Sequence, residues 1–263
     1  MHGGLHPQRQ LRSSFDPAMN ASMPGLAATL RRHQEPIGRW TGFVVFAVMI
    51  ARQLTFWPGS AALGVELARW FLITLLFVLF WSAYWRRRPA LALASRPLEI
   101  LLPLVCSGLP LAQYPPSGVM ETLGALLGED ANRLWQPVLP LDPRIGLALM
   151  AAGEAVTVTG MLSLGRSFSI FSEVRELATS GLYRWVRHPL YLGEMIAVWG
   201  YVLAWSAPWA IGCALLFTGL QSWRAKVEER RLLQFHPGYA AYRERAGFLL
   251  PRLPLGRRAQ RPR

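Results

Sequence analysis

Residues 190–223 read LYLGEMIAVWGYVLAW, then Ser206-Ala207, then PWAIGCALLFTGLQSW. Two apolar runs of sixteen residues are separated by only two. So short a joint forces two helices back along each other, which predicts an antiparallel helical hairpin. Each run is close to the length that crosses the hydrocarbon of a bilayer. The second meets no breaker between Arg224 and Leu233, ahead of Pro237, so its helix is expected to continue past the membrane edge.

Four more apolar segments precede this pair, at about Ile37–Trp57, Val65–Trp85, Pro97–Tyr114 and Arg144–Leu164. The third carries Pro103 and Pro110 and is expected to be kinked or partly re-entrant. The fold class is therefore all-α: a polytopic membrane bundle of about six transmembrane segments. Apolar residues make up 52% of the 263, and they collect in these blocks, as spanning helices require. The net charge of +13 resides almost wholly in arginine, Lys226 being the single lysine. The arginines border the apolar blocks instead of forming a stripe, so they read as membrane anchors and not as a nucleic-acid surface. With the N-terminus in the cytosol, most of the 28 basic residues fall on the cytosolic side, a bias that sets orientation. Both termini are then cytosolic. Cys106 and Cys213 lie inside apolar blocks and read as packing residues.

Residues 1–36, with Pro7, Pro17, Pro24 and scattered arginine, read as a disordered basic cytosolic tail. Residues 37–142 hold the N-terminal spans and a non-cytosolic loop, 143–252 a functional core, and 253–263 a second basic tail. In the loop, Met120, Leu123, Leu127, Ala131 and Leu134 repeat at helical spacing and suggest an interfacial helix. Arg52, Arg69, Glu154 and Glu194 lie within or beside spans, where pairing inside the bundle or snorkelling is expected. Glu194, next to the loop ahead of its span, is also placed to line a site.

Two polar segments flank the hairpin. Gly181–Gly193 reads GLYRWVRHPLYLG. Pro189 disfavours helix at His188 and suits the first turn of the helix that follows, so His188 sits in an extended elbow between Tyr183 and Tyr191. Gly181 and Gly193 permit tight turning or the close approach of another backbone or ligand. The unpaired amides of the next helix suit an anionic group. The second segment is Trp223-Arg-Ala-Lys-Val-Glu-Glu229. Arg224 and Glu228, four apart, share a helix face, and Lys226 and Glu229 occupy a neighbouring one. Each segment alone is also readable as ordinary helix-end chemistry, a capped start or a solvated salt bridge. Together at one membrane edge they offer sites for a molecule with an amino-acid group, a stacking base and a cationic centre, which describes S-adenosylmethionine. A reactive sulfonium methyl needs from a protein mainly binding and alignment.

The residues that carry a family resemblance are Leu164-Gly-Arg-Ser-Phe-Ser169, Leu177-Ala-Thr-Ser-Gly-Leu-Tyr-Arg184 and Arg187-His-Pro-Leu-Tyr-Leu-Gly193, with Arg224, Glu228-Glu229, Leu232-Leu233, Tyr239, Tyr242-Arg243 and Pro251. This pattern resembles the isoprenylcysteine carboxyl methyltransferase family and, related to it, the phospholipid N-methyltransferases, over about residues 145–252. The resemblance implies an integral membrane methyltransferase with a cytosolic pocket for S-adenosylmethionine. Carried over by motif, Tyr183, His188, Pro189, Leu190, Tyr191 and Glu228 would contact the cofactor, and Leu177 and Ala178 would line it. Arg224 would face the acceptor, with Glu229 a further substrate-side candidate, and Arg224 and Glu228 would be the catalytic pair. Arg175 stands where the family often has histidine, and Leu182 where it usually has proline. Arg175 could pair with the cofactor carboxylate.

The expected function is methyl transfer to a lipophilic acceptor at the cytosolic interface. The substrate would be a lipid or a lipidated small molecule or peptide, with an isoprenylcysteine-like carboxylate favoured. A phospholipid or other lipid amine remains an alternative, as does a non-enzymatic scaffold that keeps the fold. A transporter is less consistent, since no internal repeat is visible.

Overall fold

The computed structural model describes residues 25–55, 64–87, 96–113 and 142–252, with scattered positions in 90–94 and 121–139. The expected tails at 1–24 and 253–263, and Met120, Leu123, Leu127 and Ala131 of the expected interfacial helix, lie outside the described residues.

The described chain is built of helices, α1 (Gly25–Thr55), α2 (Val65–Arg86), α3 (Pro97–Gly108), α4 (Pro143–Leu164), α5 (Pro189–Trp205), α6 (Pro208–Phe235) and the short α7 (Tyr239–Arg245). Each apolar segment of the sequence is helical, and proline punctuates several of the starts. Pro143, Pro189 and Pro208 occupy first-turn positions, where a missing N–H costs nothing. Asp142 caps α4 by accepting from Arg144 N at 2.9 Å. In α3 the α-helix carries Pro103 and gives way to a 3₁₀ turn over Leu109–Gln113, the break expected from its two prolines. Helix α6 runs unbroken well past Trp223.

The N-terminal boundary differs from expectation. Helix α1 starts at Gly25, so residues 25–36 are helical and not a disordered tail. Leu26, Ala27, Ala28, Leu30 and Gln34 are strong helix formers, and they outweigh the high local charge that suggested disorder.

Among the described residues, two segments, Glu66–Arg86 and Pro143–Leu164, are long and apolar enough to cross a membrane. Along α2, Leu67, Phe71, Leu75 and Val78 are exposed at helical spacing, giving that helix an outward apolar face. Arg69 pairs with Glu66 at 2.8 Å and lies over the Trp205 ring, so this expected pairing is local, within the first turn of α2.

Packing centres on α4 and α5. Gly146, Gly153 and Gly160 recur every seventh residue on α4, and Gly193 and Gly200 do so on α5. A β-carbon at Gly153 would lie 2.6 Å from Gly193 O and hard against Ala197 N. At Gly200 it would meet Met150 N at 2.5 Å and Gly146 O at 2.8 Å. The two backbones touch over several turns, an approach that small residues allow and larger ones block. Around this pair, Phe80 stacks on Phe168 at 5.2 Å, and the buried Tyr84 hydroxyl accepts from Ile170 N at 2.6 Å. These contacts bind α2 to the loop that follows α4.

Gly153→Leu should therefore lower stability by about 3 kcal/mol or more, because neither backbone can yield to a side chain. Gly212→Ala, at an α6 position open on all sides, should be neutral or slightly stabilising. Thermal unfolding in detergent micelles reads both, and equal midpoints would contradict the α4–α5 contact.

Candidate functional site

The elbow ahead of α5 is built by local backbone constraints. Gly181 has φ 58° and opens a 3₁₀ turn over Gly181–Arg184, a conformation that disfavours residues with a side chain. His188 is the N-cap of α5 at φ −128°, ψ 58°, a non-helical position consistent with the proline that follows. The chain after α7 lies alongside. Arg187 N donates to Gly247 O at 2.8 Å, Gly247 N to Trp185 O at 2.9 Å, and His188 N to Phe248 O at 3.3 Å. Tyr242 OH donates to Tyr183 O at 2.7 Å. The elbow is thus held from both sides by residues more than fifty positions away in sequence.

Beneath the elbow lies a buried ion cluster. Arg187 Nε donates to Glu229 Oε1 at 2.5 Å, and its Nη1 donates to Ala246 O at 2.6 Å and to Arg243 O at 3.0 Å. His188 Nε2 stands 3.3 Å from the same Glu229 oxygen. Burial works to raise the Glu229 pKa, but the hydrogen bonds from His188 and Arg187 and their charges outweigh it and hold the carboxyl at about 2. The His188 ring stacks on Tyr191, 4° from parallel at 5.5 Å. Tyr191 OH donates to Glu228, and Arg224 lies 4.7 Å over the Tyr191 ring and 3.4 Å from Glu228 Oε1. Arg224 also donates to Ile170 O. Glu228 and Glu229 are neighbours in sequence but about 100° apart around α6, so one meets Tyr191 and Arg224 and the other Arg187 and His188.

Two cavities adjoin this cluster. A cleft of ≈ 780 Å³, counted out to solvent, is lined by Tyr183, His188, Leu190, Tyr191 and Glu228, and also by Arg175, Leu177 and Ala178. Eight of the sequence-derived cofactor residues therefore converge there. Pro189 is buried at the start of α5 and is not among the lining residues. A second, mainly apolar chamber of ≈ 870 Å³ is lined from α1, α2 and α3 (Phe46, Met49, Phe77, Phe80, Cys106) and from α4, α5 and α6 (Glu154, Glu194, Phe217, Arg224). Phe168 and Leu190 line both spaces. Arg224 faces the chamber, and Glu229 faces neither: its carboxylate is used by Arg187 and His188. Glu194 accepts from Gln221 at the chamber wall.

Arg175 reaches Glu173 at 2.6 Å, and Glu173 also accepts from Ser169 at 2.8 Å. The structural partner of Glu229 was not legible from spacing, because Lys226, three residues away, is exposed and Arg187 is forty-two residues away. The one available signal was Arg187 itself, an arginine directly before the His188-Pro189 elbow. Phe168, at the junction of the two spaces, lay inside a matching motif without being singled out.

Because the Glu229 pKa is lowered on folding, its stabilising effect is complete above its unfolded value near 4.5. It is lost as the pH falls toward about 2. Glu229→Gln should be destabilised at pH 7 and should show a flatter loss of stability between pH 4.5 and 2 than the parent. Thermal midpoints across that range test this; parallel curves would show that Glu229 titrates normally.

Residues 142–236 match the family described as phospholipid methyltransferase. The chain is 30% identical to the protein-S-isoprenylcysteine O-methyltransferase of Xenopus laevis, over 41% of this chain and 40% of that protein. It is 29% identical to the Saccharomyces cerevisiae enzyme of the same name, over 41% of this chain and 48% of that one. Identity to the Arabidopsis thaliana protein-S-isoprenylcysteine O-methyltransferase B is 32%, over 34% and 49%. The chain thus spans less than half the length of the curated relatives it matches. Both the motif-bearing elbow and the Arg224–Glu229 segment fall inside the matched region, so the part of the chain that carries these motifs, residues 142–236, is similar to the phospholipid methyltransferase family.

Proposed function

We propose that this protein is an integral membrane methyltransferase that uses S-adenosylmethionine to methylate a lipophilic acceptor at the cytosolic face. The observation that carries the reading is the meeting of a polar, aromatic cleft and an apolar chamber at Phe168 and Leu190, with the Tyr191–Glu228–Arg224 contact beside it. In this reading all six apolar helical segments span the bilayer, α5 and α6 form a hairpin, both termini are cytosolic, and residues 143–252 are the catalytic core. The match to a membrane family and the outward apolar face of α2 support it.

The donor set of the cleft suits the cofactor. Glu228 provides a carboxylate for a cationic centre, Tyr183, His188 and Tyr191 provide aromatic faces, and Arg175 provides a cation for a carboxylate. The volume is in the range of sites for ligands of this size. Bound there, S-adenosylmethionine would supply an electrophilic methyl group. The protein's part is alignment and exclusion of water, and alignment alone contributes roughly 7–11 kcal/mol in favourable cases. Glu228 orients the Tyr191 ring through its hydroxyl, and Arg187 and Glu229 hold the His188 ring against it. Arg224, facing the chamber, would hold an acceptor carboxylate, which needs no base: the new O–C bond forms as the C–S bond breaks and no proton moves. The matched family's description and the Glu194 carboxylate in the chamber favour a second reading, in which a lipid amine is the acceptor and an acid stabilises its charge.

Purified protein in lipid nanodiscs should bind S-adenosylhomocysteine, and Glu228→Ala and His188→Ala should each weaken that binding at least about ten-fold. Unaltered binding in both variants would refute the assignment of the cleft. Labelled methyl transferred into a total membrane extract should be released by base if the acceptor is a carboxylate, whereas a base-stable label would decide for an amine.

A further inference from the structure

The apolar chamber contains a carboxylate that the proposed transfer does not use. Glu154, on α4, is only 6% exposed and faces the chamber among Met150, Val198, Tyr201 and Phe77. Among the described residues its carboxylate makes no hydrogen bond or ion pair, contrary to the pairing expected for an acid within a span. The other acid that lines the chamber is engaged: Glu194 accepts from Gln221. A carboxyl group left in apolar surroundings without a partner is costly, and it persists where something else supplies the missing contact. A space built only to hold a hydrocarbon chain would gain by leucine at this position.

The position of Glu154 is set by the interlocked glycines. Its neighbour Gly153 abuts Ala197, seven residues into α5 from Leu190, and Leu190 lines both the cleft and the chamber. At the helical rise this places Glu154 roughly 10 Å deeper along α5 than the junction of the two spaces. A molecule with its reacting end at Arg224 would therefore present to Glu154 a group about eight to ten bonds away.

We infer that the acceptor is bifunctional: a lipophile with its methylated group at the Arg224 end and a hydrogen-bond donor, a hydroxyl or amine, at the Glu154 end of the chamber. The inference rests on the chamber being the acceptor site. It separates the substrate from a purely hydrocarbon chain such as a prenyl group, for which Glu154 would be a penalty.

The test uses full-length protein in nanodiscs with labelled decanoic acid, displaced by unlabelled decanoic or 10-hydroxydecanoic acid. The parent protein should bind the hydroxy acid about ten-fold more tightly, the effect of one buried hydrogen bond. Glu154→Leu should lose this preference while binding decanoic acid at least as well, which also shows that the variant is folded. Glu154→Gln, of the same shape, should keep only part of it. Equal affinities in the parent protein, or a preference that survives in Glu154→Leu, would overturn the inference. If the chamber does not take the acceptor at all, neither probe binds the parent protein; that result is distinct from equal binding and also overturns it.

Discussion

The direct contact between the backbones of α4 and α5 is the constraint on which the rest of the structure depends. Gly146, Gly153 and Gly160 on one helix and Gly193 and Gly200 on the other bring the main chains together with no side chain between them. In an apolar environment the hydrophobic effect does little to drive helices together, so close van der Waals contact of this kind has to hold them. The contact also fixes a register. Gly160 meets Leu190 at the first turn of α5, so the His188-Pro189 elbow stands at a defined height beside the end of α4. The loop leaving α4 then passes next to the elbow, and the cleft is the space between them.

A second layer of organisation is electrostatic and lies at one end of the bundle. Glu229 is drawn inward by Arg187 and His188, and Arg187 is also bonded to the carbonyls that end α7. Breaking a buried pair of this kind leaves a charge stranded, which is strongly destabilising. The cluster thus ties α6, α7 and the elbow into one unit. Its consequence for chemistry is indirect: it sets the His188 plane, onto which Tyr191 stacks, and Tyr191 in turn engages Glu228 and Arg224. Glu229, read from the sequence as a candidate for the substrate, therefore supports the wall of the cleft and does not line it.

The N-terminal helices acquire a purpose from the same geometry. They carry none of the family motifs, yet α1, α2 and α3 supply much of the chamber wall. The stacked pair Phe80–Phe168 and the Tyr84–Ile170 hydrogen bond couple that wall to the loop bordering the cleft. Residues outside the matched region 142–236 thus supply much of the chamber wall, while residues inside it form most of the cleft.

The amino-acid sequence by itself determined the helices and the polar elbow. Apolar runs of limited length, proline at first-turn positions and the two-residue joint at Ser206-Ala207 are local properties, and local properties specify local structure. The i,i+4 relation of Arg224 and Glu228 was legible for the same reason, and the two groups do meet. Helix α1 reaches back to Gly25, ahead of the apolar span that starts near Ile37, because local charge masks its helix-forming residues in the sequence. Only the tertiary structure decided the partners that lie far apart in the chain: Arg187 with Glu229, Tyr242 with Tyr183, and the glycines of α4 with the backbone of α5. It also decided that, among the described residues, Glu154 is left without a partner in the chamber. Such pairings depend on register and crossing between helices, and helical periodicity assigns a residue to a face of its own helix without naming what packs there.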